Sequence, residues 1–140
     1  MEKPLDATAD VDRLTAIGFR SVGEWRRGPK GIEAHLHNCA DETEVLYAFV
    51  SGSRVLYVGK TTQALKQRIY GYQNPGPTQK TNIRVNPLIQ ELLAVGGKLE
   101  IYALPDTRQL CFGSFQVNLA AGLEDSIVAE LQPEWNQAGK

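Results

Sequence analysis

Hydrophobic positions along this chain fall into short runs with two different periods. Val45-Leu-Tyr-Ala-Phe-Val50 and Val55-Leu-Tyr-Val58 are rich in β-branched and aromatic residues, with a turn-like Ser51-Gly-Ser-Arg54 between them, so they predict a β-hairpin. Leu99-Glu-Ile-Tyr-Ala-Leu104 predicts a third strand. The helical period appears elsewhere. Asp10 can cap a short helix through Leu14 and Ile17 that ends at Gly18, and Thr61 or Thr62 can cap another that runs to about Gly71. A third is predicted to begin at Asn86-Pro87, pass through Leu88, Leu92 and Leu93, and end at Gly96-Gly97. The last, about Leu119 to Leu131, is closed by Pro133. Arg20 to Glu44 predicts no element, and Asn74-Pro-Gly-Pro77 opens a polar loop that continues to Asn86.

Two charged residues break the helical pattern. Stepping about 100° per residue from Glu124 places Ala120, Val128 and Leu131 within about 40° of it, so Glu124 lies in the middle of an apolar stripe. On the helix after the hairpin, Arg68 shares a face with Ala64, Leu65 and Tyr72, while Lys66 and Tyr70 face away. A charge on a core-facing stripe is costly unless paired or bound to a metal. An internal ion pair between Arg68 and Glu124 would satisfy both, and so would a ligand at each.

Composition bounds these readings. The 140 residues, 42% of them hydrophobic, suffice for one domain with a real core. No window approaches the roughly 18 apolar residues that cross a bilayer, and the first ten residues lack a signal-peptide core, which predicts a cytoplasmic protein with no membrane partner. The net charge of −1 looks unfavourable for a polyanion partner. Its distribution changes that picture. Residues 45–86 carry Arg54, Lys60, Lys66, Arg68, Lys80 and Arg84 and no Asp or Glu, so the acidic excess lies wholly in the flanks.

Some candidate chemistry is excluded. Gly59-Lys60-Thr61 follows a strand, but a phosphate-binding loop needs glycine five residues before Gly59, where Arg54 stands. His35 and His37 have no second His/Cys cluster to complete a zinc site. Cys39 and Cys111 are too few for a disulfide scaffold and read as reduced packing residues.

The remaining polar residues form an ordered set. Val45-Leu46-Tyr47 is followed by Tyr57-Val58-Gly59-Lys60-Thr61, Arg68, Tyr72, Glu124, and Asn136 within Pro133-Glu-Trp-Asn136. This set resembles the GIY-YIG nuclease family over about residues 45–136, with Val45-Leu46 replacing Gly-Ile and Val58 replacing Ile in the two motifs that name it. Both tyrosines are kept. Tyr72 stands where many members carry histidine, as in members similar to the incision subunit of nucleotide-excision repair.

The resemblance implies an α+β fold, a small three-stranded antiparallel sheet flanked by helices over 45–140, with residues 1–44 as an N-terminal extension. It also implies a metal-dependent endonuclease acting on double-stranded DNA, with one Mg²⁺ or Mn²⁺ ion on Glu124. In that reading Arg68 contacts the scissile phosphate, and Tyr47 is the general base, its phenolate favoured by Lys60 and Arg68. Tyr57, Lys60 and Tyr72 complete the catalytic set, and Asn136 orders it through hydrogen bonds. Gly59, Lys66, Lys80 and Arg84 are candidates for DNA contacts. The alternative within the same fold is a non-catalytic or partner-dependent nucleic-acid-binding module.

Overall fold

The computed structural model describes residues 9–105 and 111–137. In chain order the elements are α1 (Asp10–Thr15), β1 (Arg20–Gly28), β2 (Gly31–Leu36), β3 (Val45–Ser51), β4 (Arg54–Thr61), α2 (Leu65–Gln73) and α3 (Lys80–Ala94). They continue with β5 (Leu99–Pro105), β6 (Cys111–Phe112), β7 (Phe115–Gln116), α4 (Leu119–Leu131) and α5 (Glu134–Gln137). The main sheet is antiparallel in the order β2-β1-β5-β3-β4, and β6 and β7 form a separate small hairpin.

The sheet therefore has five strands, not the three expected. Arg20–Gly28 and Gly31–Leu36 add two strands from the segment that predicted no element, because β1 pairs with β5 and places β2 at the sheet's outer edge. Their alternation is hard to read because little of each strand is buried: Val22, Gly23 and Trp25 in β1 and Ile32 in β2. Backbone pairing of β1 to β5, and of β2 to β1, holds them in place.

Alternation along β3 divides the core into two layers. Val45, Tyr47 and Phe49 face α2 and α3, together with Leu65, Ile69, Tyr72, Val85 and Ile89. Leu46, Ala48 and Val50 face the opposite layer, with Leu14, Phe19, Ala120 and Ile127. Because β3 has neighbours on both edges and helices over both faces, six consecutive residues from Val45 to Val50 are buried. Each such large apolar side chain contributes about 1.5–3 kcal/mol through its burial. This strand is the anchor of the fold.

The β3–β4 turn falls at Gly52-Ser53, with Gly52 at φ +64° as a tight two-residue loop requires. Two boundaries move from their expected places. β4 continues through Thr61, and Ala64, not Thr61 or Thr62, stands at the cap position of α2, with no side-chain cap. The first amides of α2, those of Leu65 and Lys66, donate to the carbonyls of Glu42 and Ala40 in the loop before β3. Helix α3 begins at Lys80, six residues before Asn86, and runs through Pro87. Asn82, Val85, Ile89 and Leu93 form its buried stripe. Lys80 and Arg84 consequently lie on a helix and not in a loop.

Helix α4 matches its expected span, and the Asn118 side chain accepts a hydrogen bond from the Ala121 amide at its start. Cys39 packs against the core as expected, whereas Cys111 is exposed on β6. Among the described residues no helix is long and apolar enough to cross a membrane.

Candidate active site

Strand β4 is an outer strand of the sheet, and its alternation sends neighbouring residues to opposite faces. Gly59 pairs with Tyr47 and Lys60 pairs with Leu46, so Gly59 belongs to the α2–α3 side and Lys60 to the α4 side. The candidate residues thus form two groups on either side of one strand.

The first group is a hydrogen-bonded chain. Arg68, on α2, donates from Nη2 to the Tyr72 hydroxyl at 2.7 Å and from Nη1 to the Asn82 Oδ1 at 2.7 Å. The Tyr72 hydroxyl lies 2.6 Å from that of Tyr47. Spacing of four residues on one helix is what lets Arg68 reach Tyr72, and its guanidinium carbon also sits 4.3 Å from the Tyr72 ring centroid. Tyr57 packs beside both tyrosines, with centroids 6.4 Å from Tyr47 and 6.0 Å from Tyr72. Opposite Tyr47, Gly59 leaves room that no other residue would leave: a Cβ there would lie 2.6 Å from the Tyr47 hydroxyl.

Burial governs the protonation of these tyrosines. Tyr47 and Tyr72 are fully buried, and loss of solvent pushes both hydroxyls above the ordinary tyrosine range, outweighing the opposing pull of Arg68. The expected field on Tyr47 is therefore corrected in two respects. Arg68 acts on it but does not prevail, and Lys60 lies on the other face of the sheet. In this arrangement Tyr47 is a neutral phenol holding its neighbour.

The second group is Glu124 with Lys60, 3.7 Å apart. Glu124 emerges from the apolar side of α4 as its helical phase predicts, and its side chain is only 21% exposed. Burial raises its carboxyl above the ordinary glutamate value, and the neighbouring Lys60 ammonium opposes that shift. An internal Arg68–Glu124 pair is excluded as the explanation of both charges, because each has different partners.

Asn136, on α5, joins the site from the edge. It accepts from the Val58 amide at 2.9 Å and donates to the Val58 carbonyl at 2.9 Å. One side-chain amide thus replaces a neighbouring strand beside the residues between Tyr57 and Gly59.

The flanking cations are less uniform. Lys80 is exposed at the start of α3. Lys66 forms an ion pair with Asp41 at 2.7 Å, and Arg84 donates to the Trp135 carbonyl, tying α3 to α5. Sequence reasoning missed Asn82, a 3%-exposed side chain bonded to Arg68. A polar residue at a helical core position was its one available signal.

Among the described residues no three His, Cys, Asp or Glu side chains converge. Glu124 alone suits a cation that keeps most of its water and takes phosphate oxygens, which is the habit of Mg²⁺.

No family model matches the chain. It is 27% identical over 101 residues to UvrABC system protein C of Wolinella succinogenes, a match covering 72% of this chain and 15% of that protein. The chain therefore corresponds to a small part of that relative. Its fold is similar to that of a mutant of bacteriophage T4 EndoII, with a TM-score of 0.66 and 23% identity, covering 91% of this chain and 98% of that one. It is also similar to restriction endonuclease HPY188I in complex with product DNA, with a TM-score of 0.52, 17% identity and coverage of 89% and 79%.

Proposed function

We propose that this chain, whose polar residues resemble the GIY-YIG nuclease set and whose fold is similar to that of T4 EndoII, is a metal-dependent endonuclease that hydrolyses phosphodiester bonds in double-stranded DNA. The observation that carries the reading is the state of Arg68. Its guanidinium is partly buried, both of its hydrogen-bond acceptors are neutral, and its stretch of chain, residues 45–86, contains no carboxylate. A cation held in this way is poised for an anion. Phosphate is the natural occupant in a fold of this kind.

The two groups flanking β4 divide the work. Arg68 binds the scissile phosphate and stabilises charge as it develops, oriented by Tyr72 and Asn82. Tyr47 is a neutral phenol while it is buried; beside Tyr57 it is the candidate proton acceptor for the attacking water, a role that requires substrate binding to open its hydroxyl to that water. Glu124 would hold the metal, and the neighbouring Lys60 ammonium favours its ionised carboxyl. A bound Mg²⁺ or Mn²⁺ supplies Lewis-acid stabilisation of the phosphate and the leaving oxygen. Gly59 permits close approach of the backbone, and Asn136 fixes the strand that carries it.

Lys80 is available to a flanking phosphate. Lys66 and Arg84 would exchange an existing partner for one. Such contacts set affinity and register but carry no sequence information.

The test is nicking of supercoiled plasmid with Mg²⁺ or Mn²⁺, using the wild type, Glu124→Ala and Arg68→Ala. Cleavage by the wild type alone, with all three proteins folded by circular dichroism, is the expected result. DNA binding without cleavage under either ion would overturn the reading in favour of a binding module.

A further inference from the structure

The Arg68 guanidinium is fixed by a relay that extends well beyond the tyrosines. Asn82 Oδ1 accepts from Arg68 Nη1 at 2.7 Å, while the same side chain's Nδ2 donates to Gln79 Oε1 at 2.9 Å. That oxygen also accepts from the Gly76 amide at 2.8 Å, so the relay ends on the backbone of the segment between α2 and α3. Asn82 is 3% exposed, on the same stripe of α3 as Val85, Ile89 and Leu93. Its surroundings leave it little freedom: a Cβ on Gly71 would stand 2.9 Å from Asn82 Nδ2.

A buried amide on an otherwise apolar stripe is costly unless its hydrogen bonds are made. Alanine or leucine would pack that stripe without the cost. The amide is instead placed so that its acceptor meets Arg68 and its donor meets Gln79. The choice of amide over carboxylate matters as well. Aspartate could accept the same hydrogen bond, but it would neutralise the guanidinium that the phosphate needs.

We infer that Asn82 is a positioning residue for Arg68: it fixes the direction of the guanidinium without cancelling its charge, and with Gln79 it couples Arg68 to the 74–79 segment. The consequence for catalysis rests on the nuclease reading, whereas the positioning itself does not. Asn82 touches Arg68, not the substrate.

The experiment compares Asn82→Ala and Asn82→Asp with the wild type by two readouts. The first is arginine side-chain NMR, assigned with Arg68→Lys. Restricted guanidinium rotation at Arg68 is expected in the wild type and in Asn82→Asp and lost in Asn82→Ala. Unchanged restriction in Asn82→Ala overturns the inference, whether or not the protein cuts DNA. If the alanine variant does not fold, loss of restriction in Asn82→Asp overturns it instead, because the acceptor is retained there.

The second readout is plasmid cleavage. Asn82→Ala is expected to lower kcat about 10- to 100-fold with little change in KM, the scale on which misplacement of a catalytic group acts. Asn82→Asp should raise KM, because an internal carboxylate competes with phosphate for Arg68. Equal kinetics in all three proteins overturns the role in catalysis. Absence of cleavage by the wild type itself counts against the nuclease reading and leaves the NMR result to decide the positioning.

Discussion

The Tyr47 hydroxyl occupies the space that a side chain at Gly59 would need, the two residues being direct partners across the β3–β4 hairpin. Tyr47 is fully buried and hydrogen-bonded to Tyr72, so it has nowhere to retreat. Gly59→Ala should therefore destabilise the fold by about 1–3 kcal/mol, as overpacking of a tight core does. Chemical denaturation measures this directly, and a variant as stable as the wild type would mean that the tyrosine can move.

Ionisation of the tyrosines offers a second check. Tyr47 and Tyr72 should stay protonated through the pH range in which ordinary tyrosines ionise, until the protein unfolds. Ultraviolet difference titration of the wild type against Tyr47→Phe should show no lost amplitude near pH 10, where an exposed tyrosine titrates. Tyr47→Phe should also cost about 1–2 kcal/mol of stability, since the Tyr72 hydroxyl loses a buried partner.

Much of this arrangement is legible in the sequence, for reasons that differ by element. The β3–β4 hairpin and α4 are local: turn residues, strand composition and the closing Pro133 lie within or beside the segments they define. The inward phase of Arg68 and Glu124 follows from helical geometry alone. Three features are not local. β1 depends on pairing with β5, about 80 residues later, and β2 on pairing with β1. The first turn of α3 buries Asn82, which is tolerable only because Arg68 and Gln79 bond to it. Pro87, read as a helix start, lies inside α3. The partner of Glu124 was hidden for a related reason, because strand alternation sends Lys60 to its face and leaves Arg68 on the other.

Glu124 gives stability a defined dependence on pH. Burial raises its carboxyl above the ordinary value, so the folded protein holds that proton more tightly than the unfolded chain does. Its stabilising contribution is complete below the unfolded pKa and is lost as pH rises through the higher folded value. Glu124→Gln cannot ionise and lacks this dependence. As pH falls from about 7 toward 4, the wild type should gain stability relative to Glu124→Gln, read as urea midpoints of the two proteins at each pH. A constant difference across that range would contradict the burial assigned to Glu124.

Removing the Asn136 amide should expose the Val58 peptide group. Asn136→Ala loses two hydrogen bonds at once and should cost about 1–3 kcal/mol. Hydrogen exchange at the Val58 amide should accelerate well beyond that of Val55, measured by NMR. Unaltered protection at Val58 would show that α5 holds β4 by other means.

Affinity for DNA should be modest and salt-dependent. With Lys66 paired to Asp41 and Arg54 to Glu134, few cations near the site are uncommitted. Lys80→Ala should reduce the slope of log affinity against log salt by about one. An unchanged slope would place the DNA elsewhere.

The side-chain amides bonded to the sheet have a consequence apart from catalysis. Gln73 accepts from the Ala34 amide on β2, as Asn136 engages Val58 on β4, and these are the two outermost strands. Unpaired edges are where sheets recruit strands from other molecules and begin to aggregate. Here each edge is blunted by one glutamine or asparagine borrowed from a helix. Gln73 and Asn136 thus guard the sheet against strand recruitment, a role separate from anything Asn136 does for the site.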